Sequence, residues 1–297
     1  MQAKTIKAIL QKKHNQFVES IEDEKVRKIV KNHSIITGGC ITSMLLGDKV
    51  NDFDYYFDSK ENALEVMTYF AKLLSKKTTR NIKVQDKEDR VYIYIKSAGQ
   101  AGEQDDVEDG EVNEQVQALE DCGLQELADK ATEGSTDKHP YQPVFATSNA
   151  ISLSGRVQLV ARFFGKPEEI HENYDFVHCT CWWRSSDGHL ELPAKALEAI
   201  LTKELIYVGS KYPICSMFRV RKFVQRGWSI NAGQILKMAL QIHKLDLYNI
   251  NVLQDQLVGV DSLYFMRVIE YLKKRIEDDK DFKITENYLF EVINRIF

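Results

Sequence analysis

Ile35-Ile36-Thr37-Gly38-Gly39-Cys40-Ile41-Thr42-Ser43-Met44-Leu45-Leu46-Gly47, followed closely by Asp52-Phe53-Asp54-Tyr55-Tyr56-Phe57, decides how this chain is read. Its pattern is a β-branched strand, two glycines, a short helix and a second strand carrying two acids. Two glycines where a strand enters a helix let a ligand approach the backbone, and the free N–H groups there favour an anion such as a polyphosphate. Ile41, Met44 and Leu45 fall at helical spacing, and Gly47 supplies a stop. In the next strand Asp52 and Asp54 are two residues apart, so both carboxylates leave one face while Phe53 and Tyr55 leave the other. Paired hard oxygen donors of this kind suit Mg²⁺ or Mn²⁺ together with substrate phosphates.

Upstream, residues 1–33 read as two helices, with Ile6, Ile9, Leu10, Phe17, Ile21, Val26 and Ile29 near helical spacing. Downstream, Asn62 to Lys76 carries a helical stripe of Leu64, Met67, Phe70, Ala71 and Leu74, and alternating segments follow at 81–84 and 90–95. Residues 97–142 then read as an acidic flexible insertion, too long and too polar for an ordinary connection. Strands resume at 144–147, 150–153 and 156–164, the last two flanking Ser154-Gly155 as a hairpin turn. Tyr174 to Cys181 reads as a further strand that places Asp175, Val177, Cys179 and Cys181 on one face. Its His178, Cys179 and Cys181 are too few and oddly spaced for a zinc site. From Pro193 onward the pattern is helical. Within it Arg219, Lys222 and Arg226 form a basic stripe beside Val220, Phe223 and Val224.

The chain has 297 residues, 43% of them hydrophobic and 10% aromatic, enough for a sizeable core in two domains. No apolar run reaches the length of a membrane span and the N-terminus lacks a signal-peptide core, so a soluble cytoplasmic protein is expected. Five cysteines, an odd number, argue against a secreted disulfide framework. The net charge of −4 hides an asymmetry: residues 97–137 hold thirteen acids and one base, which leaves the rest at +8. A basic body suits a polyanionic partner. Abundant Lys, Asn and Ile is a bias that AT-rich genomes, including those of many phages, would give.

The glycine loop and the Asp-x-Asp strand together resemble the polymerase-beta-like nucleotidyltransferase superfamily, and most of all the head of tRNA CCA-adding enzymes and bacterial poly(A) polymerases. There the loop reads Gly-Gly-x-Val-Arg-Asp-x-Leu-Leu-Gly. Here Thr42 and Ser43 stand at the Arg and Asp positions, and Cys40 stands where other branches place a phosphate-holding serine. The segment from Pro213 to Ile230 is similar to the start of the neck in those enzymes, with Trp228 replacing the usual Phe. The resemblance implies an α+β fold: a nucleotidyltransferase palm, a small mixed sheet with helices, over 34–192, interrupted at 97–142 and followed by an all-helical domain over 193–297. It implies transfer of a nucleoside monophosphate from an NTP to a hydroxyl, with release of pyrophosphate. Asp52 and Asp54 would bind two Mg²⁺ ions, aided by Asp175. Gly38, Gly39 and Ser43 would hold phosphate, and Arg219, Lys222 and Arg226 would contact nucleotide or acceptor. Three functions stay open: action on an RNA or tRNA 3′ end; the same chemistry on a protein or small molecule in a toxin, defence or counter-defence setting; and a non-catalytic binding or structural descendant of the fold.

Overall fold

The structure is a computed structural model that describes residues 1–78, 81–87, 90–96, 141–147, 149–256, 263–279 and 282–296. The acidic insertion expected over 97–142 lies outside the described residues but for its last two positions. The chain divides into two compact units, and the described residues up to Lys203 form the first.

That unit opens with α1 (Ala3–Glu19), which buries Ile6, Leu10, His14, Phe17 and Val18 along one stripe. In α2 (Glu24–His33) the Asp23 side chain accepts the Val26 N–H at 2.9 Å and so caps the helix start. Strand β1 (Ser34–Thr37), helix α3 (Gly39–Leu46) and strand β2 (Phe53–Phe57) follow in the order that the opening motif predicts. Then come α4 (Lys60–Lys77), the hairpin β3 (Asn81–Lys87) and β4 (Arg90–Lys96), and strands β5 (Pro143–Ala146), β6 (Ala150–Leu153) and β7 (Val157–Phe164). A short α5 (Pro167–His171), strands β8 (Trp182–Arg184) and β9 (Leu190–Glu191), and α6 (Ala194–Thr202) complete the unit.

Seven strands form one mixed sheet in the order β5-β6-β7-β2-β1-β8-β9, with β3 and β4 apart as a hairpin. All its pairings are antiparallel except β2 with β7. One row of register partners, Ile151, Leu159, Tyr55, Ile36 and Trp183, crosses five strands on a single face, and each is fully buried. Rings from α1 and α4 meet this row: Phe17 lies 5.2 Å from Tyr55 and 6.0 Å from Phe70, and His14 lies 5.2 Å from Trp183. Edge-to-face contacts such as Phe17–Tyr55 add about 1 kcal/mol beyond area burial. On the opposite face Ile35, Tyr56 and Trp182 pack with Ile170 of α5, flanked by Val160, Phe163 and Tyr174.

Residues 174–181 depart from the expected strand. Val177–Cys179 form a 3₁₀ turn, and β8 begins only at Trp182. Phe176, Val177 and His178 are buried in succession, which a strand's alternation does not permit on a half-covered face. The carbonyls that a sheet neighbour would have used go elsewhere: the Thr42 hydroxyl donates to His178 O at 2.6 Å and the Gly38 N–H to Cys179 O at 3.2 Å.

The second unit comprises the described residues from Glu204 onward and is helical: α7 (Pro213–Gln225), α8 (Ala232–Ile242), α9 (Ile250–Gln256), α10 (Leu263–Asp278) and α11 (Glu286–Ile296). Its core gathers Ile214, Leu253, Ile269, Leu272 and Val292, with Phe218 and Leu289 packed against it. Pro213 opens α7, where its missing N–H costs nothing. After α7 the chain turns at Gly227 (φ +81°), and Trp228 folds back with its N–H on Phe223 O and its ring 5.9 Å from the Phe223 ring. Val224, expected on the packed side, is therefore left exposed while Phe223 is covered.

Candidate functional site

The site is built where β1 ends. Gly38 takes φ +91° and ψ −152°, a conformation that L side chains rarely adopt, and α3 starts immediately after it. A Cβ built on Gly38 meets Asp54 Oδ2 at 2.9 Å and the Tyr174 hydroxyl at 3.7 Å, so the carboxylate of β2 lies directly against the glycine backbone. Gly39 is exposed and nothing lies within 4 Å of an added Cβ, which leaves the first turn of α3 open. Gly47, left-handed at φ +80°, ends the helix after two turns.

Asp54 pairs with Thr37 of β1 on one side and Gln158 of β7 on the other, whereas Asp52 stands just before the strand and is exposed. Burial, and then the negative charge of Asp52, push the Asp54 carboxyl well above the usual carboxylate range. The same environment acts on Cys40: its thiol is raised by burial and then by Asp54 and Asp52, and its Sγ–H points back to Thr37 O at 3.8 Å. At the position where other branches place serine, this side chain is turned inward, while the next hydroxyl, Thr42, ties α3 to the 3₁₀ turn. Ser43 is half-buried on the same helix.

Two supports of the acidic pair lack any local sequence signal. The first is Arg156, a left-handed residue at φ +61° in the turn between β6 and β7. Its Nη1 donates to Val50 O at 2.9 Å and its own carbonyl accepts the Phe53 N–H at 2.8 Å, so it grips both ends of the segment carrying Asp52. The second is a buried polar group on the Asp54 side. Thr37 Oγ1 lies 2.8 Å from His171 Nε2 and donates to Cys181 O at 2.9 Å, while the Tyr174 hydroxyl is bonded to the hydroxyls of Thr37 and Tyr56. Burial holds His171 down to about 4, opposed by Glu168, so its imidazole is neutral at neutral pH. Only the parallel pairing of β2 and β7, and the return of 171–174 over β1, bring these residues in. Neither contact follows from periodicity.

Asp175 is buried beside His178, whose pKa burial lowers to about 4 against the pull of the Asp175 charge. Among the described residues no cluster of three or more His, Cys, Asp or Glu side chains is arranged to hold a metal ion. Asp52 and Asp54 are thus brought together, and Asp175 does not join them in such a cluster. As a donor set the pair fits a hard divalent cation: two carboxylates close enough for one charge to hinder ionisation of the other are relieved by a cation between them. Arg219, Lys222 and Arg226 belong to the second unit; Arg219 is half-buried, and Lys222 and Arg226 are exposed at the end of α7.

A glycine-ended strand, a short helix with an open first turn and the antiparallel strand that follows the acidic pair thus form the centre of an α+β unit. The family model described as Gabija anti-defense 2 family protein matches residues 8–203, and the chain belongs to that family. It is 19% identical over 292 residues to Gabija anti-defense 2 of Bacillus phage SPbetaL7, covering 95% of this chain and 57% of that protein. The chain therefore spans little more than half the length of this curated relative. Among solved structures it is similar to the Bacillus stearothermophilus CCA-adding enzyme in complex with CTP, at 13% identity and a TM-score of 0.38 over 91% of this chain and 52% of that one. It is also similar to the Thermotoga maritima CCA-adding enzyme complexed with tRNA, at 11% identity and a TM-score of 0.39 over 94% and 64%.

Proposed function

We propose that the protein is a divalent-cation-dependent nucleotidyltransferase that moves a nucleoside monophosphate from an NTP to a hydroxyl acceptor and releases pyrophosphate. The observation that carries this reading is the seat of the Asp54 carboxylate against Gly38, which puts the acidic pair next to the open N-terminus of α3. Asp52 and Asp54 would hold Mg²⁺ or Mn²⁺. When bound, such an ion neutralises the triphosphate and lowers the pKa of an attacking hydroxyl. Gly38 and Gly39 would present backbone to the phosphates, with Ser43 adding a hydroxyl. Asp175 is retained as an assisting acid through its place next to the turn that anchors α3. Arg219, Lys222 and Arg226 supply positive charge for a polyanionic acceptor, and the acceptor favoured by the sequence is an RNA or tRNA 3′ end.

Family membership favours a second reading of the acceptor. A protein related to an anti-defense factor would direct the same chemistry at a component of the defence it opposes. Both readings are tested by incubating the protein with Mg²⁺ and each labelled NTP, in separate reactions with total RNA and with purified Gabija proteins, and resolving the products by gel. Label on RNA that vanishes in Asp54→Asn supports the 3′-end reading. Label on a Gabija protein supports the counter-defence reading. Metal-dependent NTP binding with no labelled product in either reaction would sink the transfer reaction and leave a nucleotide-binding protein.

A further inference from the structure

Lys13 of α1 reaches to the turn between β6 and β7, and none of the roles given above accounts for it. Its Nζ donates to Gly155 O and lies 4.8 Å from the centre of the Tyr141 ring and 5.2 Å from that of the Phe53 ring. It is thus joined at once to the turn and to Phe53, the first residue of β2 and the one directly after Asp52. The Gly155 carbonyl belongs to the peptide plane that leads into Arg156, so holding that oxygen fixes the torsion at which Arg156 leaves the plane. That torsion is a strained one. Gly155 and Arg156 are left-handed in succession, at φ +76° and +61°, and a side chain in that region persists only where its surroundings over-determine it. The Tyr141 ring closes the turn from another side, 3.1 Å from where a Gly155 Cβ would stand. With the turn so held, Arg156 Nη1 reaches Val50 O at 2.9 Å and Arg156 O receives the Phe53 N–H at 2.8 Å, one contact on each side of Asp52. Stability does not explain the lysine's charge. Burial, and then the like charge of Arg156, lower its ammonium to about 8, so at neutral pH that charge opposes folding.

We propose that Lys13 is a positioning residue for Asp52: by holding the Gly155 carbonyl it locks the left-handed turn from which the Arg156 side chain grips the segment that carries this aspartate. The first helix of the chain thereby takes part in cation binding without offering a ligand. The inference rests on the assignment of Asp52 and Asp54 as cation ligands in the proposed transfer reaction. It concerns cation binding in the absence of nucleotide, which can be measured without knowing the acceptor. A lysine that only supports the fold would act independently of Arg156, whereas one that works through Arg156 loses its effect once that side chain is removed.

The test is Mn²⁺ binding to the full chain by electron paramagnetic resonance, with thermal melting recorded alongside, in wild type, Lys13→Met, Arg156→Ala and the double variant. Lys13→Met keeps the length and the apolar packing of the side chain and loses the donor. It is expected to bind Mn²⁺ about fivefold more weakly, the scale of one hydrogen bond, with melting little changed. The double variant is expected to lie within about twofold of Arg156→Ala alone, because both changes act through one turn. Lys13→Arg, which keeps a charged donor, is expected to hold wild-type affinity. Wild-type affinity in Lys13→Met, losses that multiply in the double variant, or a Lys13→Arg protein as weak as Lys13→Met each overturns the inference and leaves the proposed function standing. If Lys13→Met melts early, Lys13→Gln, whose amide reaches one bond less far, takes its place, and wild-type affinity there overturns the inference equally. Wild-type protein that binds no Mn²⁺ overturns the ligand assignment and this inference together.

Discussion

Asp54 is the residue at which the proposed function and stability pull apart. The residue is half-buried, with its carboxylate against Gly38 and beside the charge of Asp52, so folding penalises its ionised form, and the cation-free protein loses stability as pH rises from the usual carboxylate range through the raised pKa of this group. Asp54→Asn removes that penalty while keeping the shape. It is expected to raise the melting temperature of the cation-free protein by a few degrees and to abolish Mn²⁺ binding, both read in one titration by calorimetry. Gly38→Ala acts in the opposite direction. The positive-φ extended backbone, open essentially to glycine alone, costs about 1–3 kcal/mol for a residue with a Cβ, and the new methyl also strikes Asp54 Oδ2. A lower denaturation midpoint together with loss of Mn²⁺ binding is expected; a variant as stable as wild type would show that Gly38 is not held as described. Both residues were legible in the sequence because each belongs to a motif whose chemistry requires that residue type. Arg156 was not, because an arginine beside a hairpin glycine looks the same whether or not its side chain reaches a distant carbonyl.

At the scale of elements, α3 and β2 could be read from their punctuation: two glycines before, Gly47 after, and acids alternating with aromatics. The segment over 174–181 could not, because its backbone partners are the Thr42 side chain and the Gly38 amide, both far away in sequence. Two predictions belong here. Thr42→Val leaves the buried His178 carbonyl without its donor and should cost about 1–3 kcal/mol in urea unfolding. Arg156→Ala frees the segment before β2 from a side-chain restraint. The expected result is a several-fold loss of Mn²⁺ affinity with little change in melting, since the Phe53 amide bond to residue 156 is made by backbone and survives. An unchanged affinity would show that Asp52 needs no such restraint.

In the whole molecule, His14 and His178 are buried in the first unit and each is held near 4 rather than 6.5, chiefly by desolvation. The unfolded chain therefore binds more protons than the folded one between about pH 6.5 and 4, and stability is lost as pH falls through that window. In Asp54→Asn, where the opposite effect of that carboxyl is absent, thermal melts from pH 7.5 to 4.5 should show a steady decline that a further His14→Gln lessens; a flat profile there would contradict the buried, neutral state of these rings. The α+β class and the helical character of the later half were open to sequence reasoning through period and composition. Sheet order was not, since the parallel pairing of β2 with β7 joins Phe53 to Val157 across a long stretch of chain that carries no mark of it. That pairing also sets a schedule for synthesis. A nascent chain holds both aspartates long before the strand that flanks Asp54, and the arginine that steadies Asp52, have emerged from the ribosome. Until then the acidic pair has no fixed neighbour on that side, so its surroundings are completed only once that distant strand has emerged and not by the segment that encodes the two aspartates.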